Sequence, residues 1–108
     1  YVMSSPASEE EVDAILKKAL AGETVTKPET LKFKMAFLQF LAAQYHERGW
    51  VMQLHYGCKR DNNTRMYRLL GPDTGYDCIS NYTPGSETAD FLDALELQGI
   101  LPKRSFIL

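Results

Sequence analysis

The sequence predicts a helix-rich α/β fold that is one part of a larger α/β protein. Two segments in the first half of the chain have helix caps and apolar residues at helical spacing. In the second half, two short apolar segments are typical of strands, and a third helical segment lies between them. A strand–helix–strand unit implies parallel strands joined by a right-handed crossover. Because two parallel strands leave faces and edges uncovered, we expect further strands from outside these residues.

The first predicted helix is bounded by strong start and stop signals. Ser8 and Glu11 form the capping box S-x-x-E, and apolar positions then recur at helical spacing as far as Gly22, which ends the helix. We therefore expect an amphipathic helix between these residues.

The second predicted helix begins after Thr26 and runs to about Arg48. It is apolar around most of its circumference, with Phe33, Phe37 and Phe40 widening the stripe. A helix of this kind is buried on several sides, and 108 residues offer few elements to cover it. We therefore expect that part of its covering surface lies outside this chain.

The second half of the chain alternates short elements with a polar loop. Trp50–His55 is predicted as a mostly apolar strand of the kind that is covered on both faces. Residues 58–85 are polar and turn-rich, with one helical turn near Arg65–Leu70. Ser86 is predicted to cap a third helix, and Arg104–Leu108 a second strand. We expect a single partial domain over 1–108, helical in 1–49 and strand–loop–helix–strand in 50–108.

Composition and charge argue against several functions. A net charge of −2 disfavours general binding to nucleic acid or to anionic membranes. No apolar run approaches the roughly 20 residues that span a bilayer, and the N-terminal residues do not form a secretory signal. We therefore expect a cytoplasmic protein whose cysteines, Cys58 and Cys78, are reduced.

The loop after the first strand holds the candidate functional residues. His55 ends that strand, and the carboxyl ends of strands carry the site in barrels and open α/β folds. Such a histidine can bind a metal or move protons near neutral pH, or it can simply bond to a backbone carbonyl. Position alone leaves these alternatives open.

Cations and amides are concentrated in the same loop. Arginine binds carboxylates through a two-pronged guanidinium, and asparagine amides suit hydroxyl groups. Together they would suit a small polyhydroxylated anion, although a solvated turn is the simpler alternative. Asp73 and Asp77 can orient a reacting group or close their own turns. The cations are Lys59, Arg60, Arg65 and Arg68, and the amides are Asn62 and Asn63.

The stretch GWVMQLHYGCKRDNNTRMYRLLGPDTGYDCI resembles the uronate isomerase (glucuronate isomerase) family. That family carries W-V-M-Q-L-H, then G, then R-x-N-N-x-R, then L-G-P-D-T-G-[FY]-D-x-I, and the flanking segments are similar too. The resemblance implies a fragment of a (β/α)8 TIM barrel in the amidohydrolase superfamily. WVMQLH would be its fifth strand and SFIL the beginning of its sixth.

The resemblance also implies an activity and its site residues. Family members interconvert D-glucuronate with D-fructuronate and D-galacturonate with D-tagaturonate, and bind one divalent metal, usually zinc. The metal ligands, an H-x-H pair on the first strand and an Asp on the last, lie outside this chain. His55 is then the candidate catalytic residue and a possible metal ligand. The expected substrate-binding residues are Arg60, Asn62, Asn63, Arg65 and Asp73.

Because the implied site is incomplete, we expect the isolated chain to be inactive. Because a piece of a barrel exposes faces that the other strands would cover, we also expect it to oligomerise, to exchange elements between copies, or to pack its helices differently from the parent. Two alternatives remain open from the sequence. One is a non-catalytic helical module whose apolar face, residues 31–45, binds a partner protein. The other is a metal-dependent hydrolase on the same barrel, which rests on analogy of fold alone.

Overall fold

The computed structural model describes residues 5–81 and 85–107, and within them the chain has four helices and four strands. The predicted helix-rich α/β fold is confirmed. None of the helices in this part of the chain is long and apolar enough to cross a bilayer. In chain order the elements are α1 Glu9–Leu20, α2 Lys27–Glu47, β1 Val51–His55, β2 Cys58–Lys59, α3 Thr64–Leu70, β3 Cys78–Ile79, α4 Gly85–Leu97 and β4 Lys103–Ile107.

These elements form two compact units. The first consists of Tyr1–Met52 and Gly85–Lys103, and the second of Gln53–Pro84 and Arg104–Leu108. The first unit therefore holds α1, α2 and α4, and the second holds the polar loop. The single partial domain expected over 1–108 stays a prediction.

The capping box predicted for the first helix is present, and the second helix begins with another one. In α1 the Ser8 hydroxyl accepts from the Glu11 backbone N–H at 3.2 Å, and the Glu11 carboxylate accepts from the Ser8 N–H at 2.9 Å. Thr26 and Glu29 repeat this arrangement in α2. Each box satisfies two backbone donors that a helix start would leave without partners.

The two capping glutamates also join α1 to α2. Lys18 on α1 donates to Glu29 at 3.0 Å, and Lys32 on α2 donates to Glu11 at 3.0 Å. Each glutamate thus accepts from its own helix start and from a lysine of the neighbouring helix. The backbone bond from Thr26, followed by the Lys18 bond, lowers the pKa of Glu29 from 4.5 to about 2.

Replacing Glu29 by glutamine is expected to remove a pH-dependent part of the stability. A carboxyl group whose pKa is lower in the folded state stabilises the fold above its unfolded pKa, and this contribution is lost as the pH falls through its folded pKa. The difference in free energy of unfolding between the unsubstituted chain and E29Q should therefore shrink as the pH falls from 4.5 to about 2. Denaturant unfolding at several pH values measures this difference. A difference that stays constant with pH would contradict the prediction.

The core of the first unit is centred on α4. Phe91 and Leu95 are fully buried, and the other elements of the same unit contribute further buried residues: Ile15, Met35, Ala42 and Met52. By contrast, the α2 side chains of Phe37 and Phe40 are 53% and 59% exposed. The described residues thus cover only part of the apolar face predicted for α2.

Strands β1 and β4 are hydrogen-bonded neighbours. Just past β1, the Tyr56 N–H donates to the carbonyl of Ile107, at the end of β4, at 3.1 Å. This bond joins the carboxyl ends of both strands, which is possible over their lengths only if they run parallel, as predicted. His55 therefore ends its strand at the edge of the sheet where parallel strands present functional residues.

The structure differs from the sequence-based predictions at three places. Met52 and Leu54 of β1 are buried whereas Val51 and His55 are exposed, so the strand is covered on one face only within the described residues. Helix α4 already includes Gly85, so Ser86 lies inside its first turn and is not the cap. The short strands β2 and β3 were not predicted, because two-residue strands have too few positions for a pattern.

Candidate functional site

The loop that follows β1, here called the site loop (residues 57–80), is closed at its base. Gly57 takes a φ of +80°, which suits glycine because it lacks a Cβ. Strands β2 and β3 then pair antiparallel, with Cys58 opposite Ile79. The Ser80 N–H donates to the Gly57 carbonyl at 2.7 Å. The two ends of the loop are therefore held together, and the polar residues lie between them.

Asp77 is the main acceptor inside the site loop. Its Oδ2 accepts from Arg60 Nη1 at 2.9 Å and from the Cys58 thiol at 3.4 Å, and its Oδ1 accepts from the Asp61 N–H at 2.8 Å. The Asp61 hydrogen bond, followed by those of Cys58 and Arg60, lowers the pKa of Asp77 despite partial burial. The same ion pair raises the pKa of Arg60. The Asp77 carboxylate, which directly precedes β3, thus contacts both β2 and the turn that follows β2.

Two aspartates with left-handed backbone continue this network. Asp61 and Asp73 have φ of +52° and +57°, a region in which aspartate is tolerated because its short side chain can hydrogen-bond locally. The Asp73 N–H donates to Asp61 Oδ1 at 3.1 Å. Asp61 therefore links the turn after β2 to the Gly-Pro-Asp-Thr-Gly turn. Asp73, a predicted substrate-binding residue, contributes its backbone to this link.

Helix α3 is positioned by Asn63, whose side-chain oxygen accepts from the Met66 N–H at 3.1 Å. Asn63 was predicted to bind substrate, and here its oxygen serves as the cap while its amide N–H groups can still donate. Arg65 lies in the first turn of α3 and is exposed. The helical turn predicted for this region is confirmed.

The side chains of three predicted site residues have no hydrogen bond or ion pair within the part of the chain that the structure describes: His55, Asn62 and Arg65. All three side chains are exposed. The alternative of a His55 ring bonded to a backbone carbonyl is therefore not found among residues 5–81 and 85–107. Arg60, Asn63 and Asp73, by contrast, also take part in contacts that maintain the loop.

The described residues do not form a metal centre by themselves. They include no group of three His, Cys, Asp or Glu side chains that could hold a metal ion. A zinc site takes three or four protein ligands, and His55 would supply one. Any metal of this site would need most of its ligands from elsewhere.

Sequence reasoning considered Asp77 only as a residue that could orient a reacting group or close its own turn and left it out of the predicted site residues, although its carboxylate accepts three hydrogen bonds. Residues 60 and 77 meet because β2 pairs with β3. A two-residue ladder leaves no periodic signal, so the spacing of these residues in the sequence could not reveal their contact.

The two cysteines are free thiols in different surroundings, Cys58 partly buried and Cys78 exposed. Burial, followed by the hydrogen bond to Asp77, raises the pKa of Cys58. Because the thiolate is the nucleophile, we expect iodoacetamide near pH 8 to alkylate Cys78 before Cys58, as followed by peptide mass spectrometry. The denatured chain, in which both thiols are free, is the control. Faster modification of Cys58 in the folded chain would contradict the Asp77 contact.

Comparison with known proteins places the chain beside one group. A family model described as Glucuronate isomerase matches residues 1–107. The uronate isomerase of Endomicrobium trichonymphae is 50% identical over 103 residues, and that of Lachnoclostridium phytofermentans is 52% identical over 103 residues. Each match covers 95% of this chain but only 22% of the relative.

A solved structure agrees with these matches. The crystal structure of uronate isomerase from Thermotoga maritima superposes with a TM-score of 0.70 at 29% sequence identity. The superposition covers 97% of this chain and 23% of that chain. The fold described above thus corresponds to about a fifth of a known, longer protein.

Proposed function

This chain belongs to the glucuronate isomerase family, and on that premise we propose that it is a segment of a uronate isomerase. The intact enzyme would interconvert D-glucuronate with D-fructuronate and D-galacturonate with D-tagaturonate. The observation that carries the proposal is the site loop, which follows His55 at the carboxyl end of a parallel strand pair and presents Arg60 and Arg65. A sugar acid needs cations for its carboxylate and amides for its hydroxyls.

The charge of the site loop supports an anionic ligand. Of its four cations, only Arg60 is in an ion pair within the described residues, so Lys59, Arg65 and Arg68 have no ion-pair partner there. Arginine suits a carboxylate through charge-assisted, two-pronged hydrogen bonds. Arg60 and Arg65 would therefore bind the uronate carboxylate.

The remaining polar groups suit the rest of a sugar acid. Asn62 and the free amide of Asn63 would bind hydroxyl groups, and the Asp73 carboxylate would accept from another hydroxyl. His55 would lie against the substrate, where an imidazole can hold or move a proton. The isomerisation itself would be a proton transfer from C2 to C1 through an enediol.

The wider setting is part of the same proposal. The parent would be a (β/α)8 barrel of the amidohydrolase superfamily in the cytoplasm, with β1 as its fifth strand and β4 as its sixth. A divalent metal, zinc by resemblance, would belong to the intact protein, with its ligands mainly outside these residues. The parallel pairing of β1 and β4 supports this placement.

The exposed apolar face of α2 supports an origin in a longer protein as well. Phe37 and Phe40 lie on that face and would pack against other parts of the parent. The same face is the observation that favours the second candidate, a helical protein-interaction module. The module, however, gives no reason for the cations and hydrogen-bonded turns of the site loop.

The test is to assay uronate isomerisation by the full-length protein, meaning the longer polypeptide that on this proposal carries these residues, and by the 108-residue chain alone. We expect the full-length protein to interconvert at least one of the two uronate pairs. The isolated chain is expected to be inactive, because most of the site lies outside it. A full-length protein that turns over neither pair would contradict the proposal and favour the interaction module.

A further inference from the structure

Arg60 has an asymmetric environment in the site loop. Its side chain is 56% exposed, whereas that of its partner Asp77 is 20% exposed. The bond joins one guanidinium nitrogen, Nη1, to Asp77 Oδ2. Because a guanidinium has five N–H donors, the donors on its other nitrogens remain available. The carboxylate thus holds the arginine from the less exposed side and leaves its outer edge open.

We propose that Asp77 is a positioning residue of the uronate site, which holds the Arg60 guanidinium and the Asp61 turn so that the free edge of Arg60 meets the substrate carboxylate. This role rests on the proposed function. It assigns Asp77 a task in substrate binding, although its own carboxylate does not touch the substrate.

The two carboxylate oxygens of Asp77 restrain different parts of the chain. Oδ1 accepts from the Asp61 N–H and so restrains the backbone directly after Arg60, while Oδ2 restrains the guanidinium itself. Arg60 is therefore held at both its backbone and its head group. An arginine that is held in this way loses less side-chain entropy when it binds a ligand.

Two other roles for Asp77 fit the structure less well. A general base needs a carboxylate that is free to take a proton, but Asp77 already accepts from Arg60, Asp61 and Cys58. The ion pair by itself is also a small source of stability, because Arg60 is more than half exposed. We therefore expect loss of the Arg60–Asp77 pair to lower the affinity for substrate.

The test compares steady-state kinetics on D-glucuronate for the full-length protein and its Asp77→Asn variant. Asparagine can still accept from the Asp61 N–H, but its amide N–H groups would face Arg60 donor against donor. We expect KM to rise about tenfold, the size of one lost hydrogen bond to a charged group, with kcat within about twofold. Asp77→Glu, which keeps the charge, should restore part of the affinity and serves if D77N does not fold.

A double substitution separates positioning from a general loss of structure. If Asp77 acts through Arg60, adding D77N to Arg60→Ala should raise KM no further. The control is Asp13→Asn, which removes an exposed carboxylate paired with Lys17 on α1 and should leave KM unchanged.

The outcomes distinguish this inference from the function on which it rests. An unchanged KM in D77N and D77E, or an equal rise with and without Arg60, would overturn the positioning role while leaving the isomerase intact. A fall in kcat with unchanged KM would overturn it too. Absence of isomerisation in the unsubstituted full-length protein would instead overturn the proposed function, and the positioning role with it.

Discussion

Replacing Arg60 by alanine is expected to lower kcat/KM of the full-length protein for D-glucuronate by roughly 10- to 150-fold. Hydrogen bonds to a charged group are each worth about 1.5–3 kcal/mol, and each 1.36 kcal/mol changes a rate about tenfold. Most of the loss should appear in KM, because the carboxylate is remote from C1 and C2, between which the proton moves. Initial rates over a range of uronate concentrations measure it.

Arg48→Ala is the matched control for this variant. Arg48 is also an exposed arginine with a carboxylate partner, Glu47 at 3.6 Å, but it lies at the end of α2. Its removal should leave both kinetic constants unchanged. If R60A retained full activity, or if R48A lost as much, the site loop would be a scaffold turn and the carboxylate would bind elsewhere.

Replacing Phe91 by alanine is expected to lower the free energy of unfolding by about 3–5 kcal/mol. Phe91 is fully buried in the core of the first unit, so its removal forfeits apolar burial and leaves a cavity that its neighbours fill only in part. A domain of this size has only about 5–15 kcal/mol in total. Denaturant unfolding of the 108-residue chain, followed by circular dichroism, measures the loss.

The control for Phe91 lies on the same helix. Leu97 is also a large apolar residue of α4, but it is 80% exposed. Leu97→Ala should change stability by no more than about 0.5 kcal/mol, as is usual for surface substitutions. Equal losses in the two variants would show that α4 is not packed as described.

Features with local causes were predictable from the sequence. The caps of α1 and α2 depend on residues three positions apart, Ser8 with Glu11 and Thr26 with Glu29, so the sequence displays them directly. The helical turn of α3 was also recognisable. Features that depend on distant pairing were not: the β2–β3 ladder joins residues about 20 positions apart through only two residues each.

The burial of β1 could be predicted only in part. Its apolar composition predicted that both faces would be covered, but composition indicates only the surroundings that a strand is suited to, and these can lie outside the chain. Within the described residues only β4 borders β1, and His55 and Val51 remain exposed. A segment that covers 22% of its relatives' length lacks the context in which such a pattern would be satisfied.

The candidate site was predictable in its residue types but not in its internal organisation. The sequence indicated a loop rich in cations and amides, and the structure separates these residues by their contacts. Arg60 and Asn63 help to maintain the loop, whereas the side chains of His55, Asn62 and Arg65 have no partner in the described part of the chain. The Arg60 contact depends on Asp77, whose three contacts join residues 16 to 19 positions apart in the sequence.

The role proposed for the site loop is tested most directly by a crystal structure of the full-length protein with D-glucuronate bound. We expect the uronate carboxylate to lie within about 2.7–2.9 Å of the guanidinium nitrogens of Arg60 or Arg65. Arg60 should keep its bond to Asp77 in that complex. If the uronate carboxylate were held entirely by residues outside this segment, the site loop would not be its binding site.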